Sequence, residues 1–90
     1  MSKANVDPIE LRRFAADLKR TSEELHGLMS GLHGKLRGLE ATWRDQEQRK
    51  FTESFEQTVK AVSSFIVNSE EHVKVLNKKA AAIEEYLKQR

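Results

Sequence analysis

Ninety residues fit at most one domain, and one layer of that size buries little apolar surface, so a partner or an idealised helical packing is expected. Cysteine is absent, which removes disulfides, thiolate metal sites and thiol redox chemistry while leaving the compartment open. Lys and Arg number 16 against 14 Asp and Glu, and division after Asp45 leaves eight basic and seven acidic side chains on either side, so phosphate binding has no basic cluster to rest on and no nucleic-acid partner is expected.

The N-terminal stretch "MSKANVDPIELRRF" lacks the apolar core of a cleavable signal peptide, and no apolar run approaches the roughly 20 residues that span a bilayer. No membrane insertion is expected, the protein is placed in the cytoplasm, and export would need a route without a cleavable signal. "NVDPIEL" then reads as a helix start: Asp7 can cap, Pro8 suits the first helical position, and Glu10 follows as in a capping box. Helix 1 is predicted over about 8–40. Leu11, Leu18, Leu25, Leu32 and Leu39 recur every seven residues, with Phe14, Leu28, Met29 and Leu36 beside them, which makes a seam for another helix.

All four glycines fall in "HGLMSGLHGKLRG", as Gly27, Gly31, Gly34 and Gly38. Their spacing puts them on one stripe, expected beside the leucine seam, and each costs a helix interior roughly 0.8 to 1 kcal/mol against alanine. Close approach of a second helix in a dimer would offset that cost. A bent, weak helix or a break that shortens helix 1 are the alternatives.

A turn is predicted over about 41–45, carried by Trp43, Arg44 and Asp45. Trp43 at a hairpin tip can lie over the last apolar layer near Leu39 and Phe51 as a structural plug, or serve as a docking point for a larger machine. Helix 2, over about 46–88, opens with Asp45 as its cap. Its apolar stripe runs Phe51, Phe55, Val59, Val62, Phe65, Ile66, Val73, Leu76, Ala80, Ile83 and Leu87, while Glu56 with Lys60, Glu70 with Lys74 and Glu84 with Lys88 mark a solvated side.

Two such helices with a short linker predict an all-α fold, an antiparallel two-helix hairpin forming one domain over 1–90. Folding about residue 43 sets Leu36 near Phe51, Leu32 near Phe55, Leu25 near Val62 and Leu11 near Leu76. "AAAIEEYLKQR" should then overhang by roughly 16 Å. A second hairpin covering Ile83, Tyr86 and Leu87 would make a four-helix bundle; fraying of the last turns is the other outcome.

Sites of chemistry are not found. His26 and His33 are separated by about 10 Å along a helix, too far to share a metal, and His72 reads as a boundary histidine near the seam, with a pH-sensitive interface as the alternative. Glu23 with Glu24 and Glu84 with Glu85 point to different sides of a helix and make poor acid and base partners. No phosphate loop or nucleophile elbow is present. Neither catalytic activity, metal nor cofactor is expected.

A chain of this length, with two amphipathic helices about a mid-chain tryptophan, resembles the WXG family, the small early-secreted-antigen-like proteins associated with bacterial type VII secretion. The resemblance runs from about Val6 to Leu87 and rests on the architecture, Trp43 and the aromatic pair Phe51 and Phe55. Asp45 stands where the family's turn has glycine. Exported members, or their partners, usually carry a Tyr-x-x-x-Asp/Glu signal, whereas Tyr86 is followed four residues later by Arg90. The resemblance implies a homodimer or a pair with a homologous hairpin, with a secretion ATPase as a further candidate partner and no enzymatic activity. A cytoplasmic helical adaptor that is not exported is the other functional reading. An amphipathic membrane binder is disfavoured, because basic and acidic residues are mixed on the polar faces.

Overall fold

The computed structural model describes residues 6–89. Two helices run antiparallel, α1 over Pro8–Leu39 and α2 over Gln46–Lys88. Local chemistry sets both starts. The Asp7 carboxylate accepts a hydrogen bond from the Ile9 N–H at 2.9 Å, and Pro8 fills the first helical position, where its missing N–H costs nothing. Asp45 accepts from the Gln48 N–H at 2.8 Å and so caps α2. Its backbone is extended, at φ −93° and ψ −173°, and no described residue has a positive φ. The turn therefore does not need a glycine where Asp45 stands. The four glycines do not break α1, which runs through all of them to Leu39.

The extents are 68 × 24 × 14 Å, so the hairpin is one helix thick. A slab of that shape has a seam between its helices and two open flanks. Apolar residues buried in the seam are few: Ala15, Leu36 and Ala80. Ser22, Gln48 and Ser69 complete the buried set. Around them Leu11, Leu18, Leu25 and Met29 of α1, and Phe55, Val59, Val62, Ile66, Val73 and Leu76 of α2, are half-covered. Together with the buried Ser69 and Ala80, these α2 positions alternate in steps of three and four residues, the spacing that keeps one stripe facing a partner helix.

The expected pairing of the helices is corrected by three contacts. Arg12 donates to Glu84 through Nε and Nη2, each at 2.8 Å. His33 Nε2 and Glu56 Oε2 are 2.7 Å apart. Near the tip, Gln48 Nε2 donates to Glu40 at 3.1 Å and Thr52 Oγ1 donates to the same oxygen at 3.2 Å. A fold about residue 43 would set Leu11 opposite Leu76; instead Arg12 faces Glu84, a shift of more than two helical turns at the open end. The displacement grows along the seam: His33 meets Glu56 where the same fold would set residue 54, so the turn closed by Trp43 N–H to Leu39 O at 3.0 Å accounts for a small part of it. The predicted overhang is consequently taken up in part: Ala80 is fully buried and Ile83 half-covered, while the larger apolar residues beyond them, Tyr86 and Leu87, are exposed.

Candidate interaction surface

The two flanks of the slab differ in chemistry. On one, Arg12, Lys19, His26, His33 and Glu40 recur every seven residues along α1, facing Glu56, Ser63, Glu70, Asn77 and Glu84 on α2. Both interhelical polar pairs of this kind among the described residues, the Arg12–Glu84 ion pair and the His33–Glu56 hydrogen bond, lie here. The Arg12 hydrogen bonds, helped by its charge and opposed by a smaller effect of lost solvation, hold the Glu84 carboxyl below its usual range and push the Arg12 guanidinium up. At the tip, the cluster of Glu40, Gln48 and Thr52 continues the same polar edge, with Gln48 Nε2 to Thr52 Oγ1 at 2.7 Å.

The opposite flank leaves large apolar side chains open, with Thr21, Lys35, Thr58, His72 and Lys79 exposed at the same seven-residue spacing. Phe14, Leu28, Phe65 and Tyr86 retain 58%, 72%, 46% and 64% of their accessible surface, and Leu32, Leu39 and Phe51 are exposed beside them. Large side chains left in water along one flank are an unfinished interface. The residues expected in a hairpin or dimer seam are thereby divided. Leu11, Leu18, Leu25, Leu36, Phe55, Val59, Val62, Ile66, Val73 and Leu76 line the seam within the chain, whereas Phe14, Leu28, Leu32 and Phe51 face outward.

Trp43 is half-covered, its ring 5.8 Å from that of Phe51, which in turn stacks on Phe55 at 5.9 Å. Arg44 Nε donates to Glu40 O at 3.3 Å, closing the turn over the end of α1. The aromatic ladder thus runs from the turn along the first turns of α2. The glycines are placed differently from expectation. At 27, 31, 34 and 38 they lie on the outer side of α1, away from the seam, and no atom lies within 4 Å of where a Cβ would stand at any of them.

Sequence reasoning missed Ala15, Ser22 and Ser69, which the structure puts in the seam, while Ala80 of the predicted helix 2 stripe is fully buried there. The signal was their period: Ala15, Ser22, Met29 and Leu36 are spaced by seven, but two of the four are small or polar and so drop out of a search for apolar stripes. No group of His, Asp and Glu among the described residues could hold a metal ion, and no described helix is long and apolar enough to cross a membrane.

The sequence profile of the WXG100 family, "Proteins of 100 residues with WXG", matches residues 3–86. This chain belongs to the WXG100 family. A comparison with curated proteins gives no match. Among solved structures, the WXG100 hairpin is similar to the secreted protein EsxB of Bacillus anthracis. The wild-type EsxB is 28% identical, with 91% of this chain and 94% of that chain covered and a TM-score of 0.78. A proline-to-alanine variant of EsxB is 27% identical over 94% of this chain and 96% of that one, with a TM-score of 0.84, and a glycine-to-alanine variant gives 27%, 93%, 97% and 0.79. This WXG100 chain is a small helical hairpin of the type VII secretion kind.

Proposed function

We propose that this protein works by pairing, without enzymatic activity of its own, and that two copies close a four-helix bundle through the flank carrying Phe14, Leu28, Phe51, Phe65 and Tyr86. The observation that carries the reading is the contrast between the flanks, since one is zipped by Arg12 with Glu84 and His33 with Glu56 while the other leaves its aromatic and leucine side chains in water. Burying that flank against its twin gains roughly 25 cal/mol for each Å² of apolar surface removed from water. With so few apolar residues buried within the chain, the paired state is the stable one. A C2 pair is the simplest closure, because one face then serves both copies.

In this reading the pair is a type VII secretion substrate or the companion of one, and leaves the cell without a cleavable signal. EsxB, to which the chain is similar, is described as a secreted protein. The test has two arms. Light scattering across a dilution series should return twice the chain mass, and a monomer would direct the search to a homologous hairpin as partner. Appearance in culture supernatant should depend on an intact secretion system; strict retention in cells whose system exports other substrates would favour the cytoplasmic adaptor.

A further inference from the structure

The stripe that α2 turns toward α1 has a twin. Every seam position of α2 from Phe55 to Ile83 is preceded by an exposed residue, as Ile66 is by Phe65, Ser69 by Asn68 and Leu76 by Val75. One residue is about 100° of helix, so these exposed positions form a second continuous stripe turned by that angle from the seam, and Phe51 and Tyr86 extend it at either end. A helix at the corner of a four-helix bundle meets its two neighbours at about a right angle, which is close to the relation between these two stripes. The same step back from the seam of α1 meets Glu10, Asp17, Glu24 and Lys35, so α1 offers no such run.

Size and charge along the second stripe say what covers it. One edge carries Phe51, Thr58, Phe65, His72, Lys79 and Tyr86, and the other carries Ser54, Ala61, Asn68, Val75 and Ala82, most of them small. A parallel copy would set large against large, and Lys79 against Lys79. An antiparallel copy exchanges the edges, so that large side chains meet small ones. Overlapped along their full length about the midpoint of α2 near residue 67, two antiparallel copies set Phe51 against Ala82, Phe65 against Asn68 and His72 against Ala61. Thr58 then meets Val75, and Lys79 meets Ser54 with no second cation of the stripe opposite it.

We propose that this stripe is the central contact of the pair, with α2 lying antiparallel on α2 of a second copy, and that Ala82, Asn68 and Ala61 are the hollows that admit Phe51, Phe65 and His72. The hollows are specificity-determining: a related hairpin with bulky residues at these three places is refused, because its side chains meet the large edge of this one. The proposal rests on the pairing proposed above and goes beyond it by naming the helix, the direction, the register and the residues that select a like chain. Phe14 and Leu28 of α1 lie beside this contact, on the same flank.

The chain has no cysteine, so introduced thiols are its only ones. Thr58→Cys and Val75→Cys, both at exposed positions, are treated with a short bismaleimide, each alone and as a mixture unfolded and refolded together. The mixture should give covalent dimer at several times the yield of either variant alone. Ala82→Trp, also at an exposed position, fills a hollow and should weaken the pair about tenfold or more in a light-scattering dilution series. Phe51→Ala in the same chain should restore most of that loss, and Phe14→Ala should not. Thr58→Cys crosslinking to itself as well as to Val75→Cys, a mixture that scatters as a dimer yet stays uncrosslinked, or an Ala82→Trp chain that pairs as the wild type does would each overturn this contact while leaving the pairing in place. A wild-type chain that scatters as a monomer would remove the pairing itself, and this contact with it.

Discussion

The polar flank and the apolar flank of this hairpin are built from the same seven-residue period, yet they do different work. Where Arg12 meets Glu84 and His33 meets Glu56, directional bonds between named atoms fix how far one helix has slid along the other. Across the slab, Phe14, Leu28, Phe65 and Tyr86 carry no such constraint and contribute through the surface they hide once covered. Polar pairs set register at small gain in free energy; apolar surface supplies the gain and sets no register until a shaped partner arrives.

The sharpest way to break that contrast is to put one charge on either flank. Phe65→Asp should cost the pair about 4 kcal/mol, because symmetry introduces the charge twice, which is roughly a thousandfold in Kd. Sedimentation at micromolar concentration should show monomers, with helicity reduced. Ser63→Asp, on the polar flank, should leave the mass at that of a dimer. Equal effects from both substitutions would mean that pairing does not belong to the apolar flank alone.

A smaller effect is expected at the tip, where neither flank dominates. Trp43→Ala removes the ring that covers Phe51 and should cost about 1 to 3 kcal/mol in chemical denaturation while both helices persist. A loss of dimer mass without a loss of monomer stability would identify Trp43 as part of the interface.

How much of this was legible in the sequence follows from what each feature depends on. The hairpin and its family were readable because leucines at 11, 18 and 25, a capping Asp7, a capping Asp45 and a lone mid-chain tryptophan are local signals. Register was not, since the displacement is largest at the open end, where Arg12 meets Glu84, and apolar periodicity does not weigh pairs so far apart in the chain. The partition of the apolar stripe into seam and flank was equally hidden: Phe14 and Leu11 look alike in a periodic pattern, and only the position of Ala15 and Ser22 facing α2 tells which of them turns outward. Small seam residues were missed because apolar periodicity weighs hydrophobicity, while a close helix pair selects for size.

The glycine stripe offers the next test, in the opposite direction. A methyl group added at Gly27 or Gly34 would meet nothing within 4 Å, so alanine at each should raise stability by about 1 kcal/mol through better helix propensity. A rise in melting temperature with an unchanged dimer constant would show that the outer side of α1 stays free in the assembly. A weaker dimer would mean that a helix of the second copy packs closely on the glycines, which would put the pairing surface farther around α1 than Phe14 and Leu28 suggest.

The smallest effect belongs to the register pair itself. Arg12 holds the Glu84 carboxyl below the usual carboxylate range chiefly by hydrogen bonding, and a lowered folded-state value means that the stabilisation is complete at pH above the unfolded value and disappears as pH falls through the folded one. The melting temperature of the wild type should therefore exceed that of Glu84→Gln at about pH 7, and the gap should close as the solution is made acidic enough to protonate Glu84 in the fold. Both side chains keep more than a third of their surface, at 44% and 41%, so the gap is expected to be small and to shrink in high salt. What the pair contributes should be sought in geometry instead. A cysteine pair at Ala15 and Ala80, both buried in the seam near this end, should crosslink within one chain less efficiently in Glu84→Gln if the ion pair holds the slide of α1 along α2. Unchanged crosslinking would assign the register to the small residues Ala15 and Ala80, whose close fit admits the two helices in only one alignment.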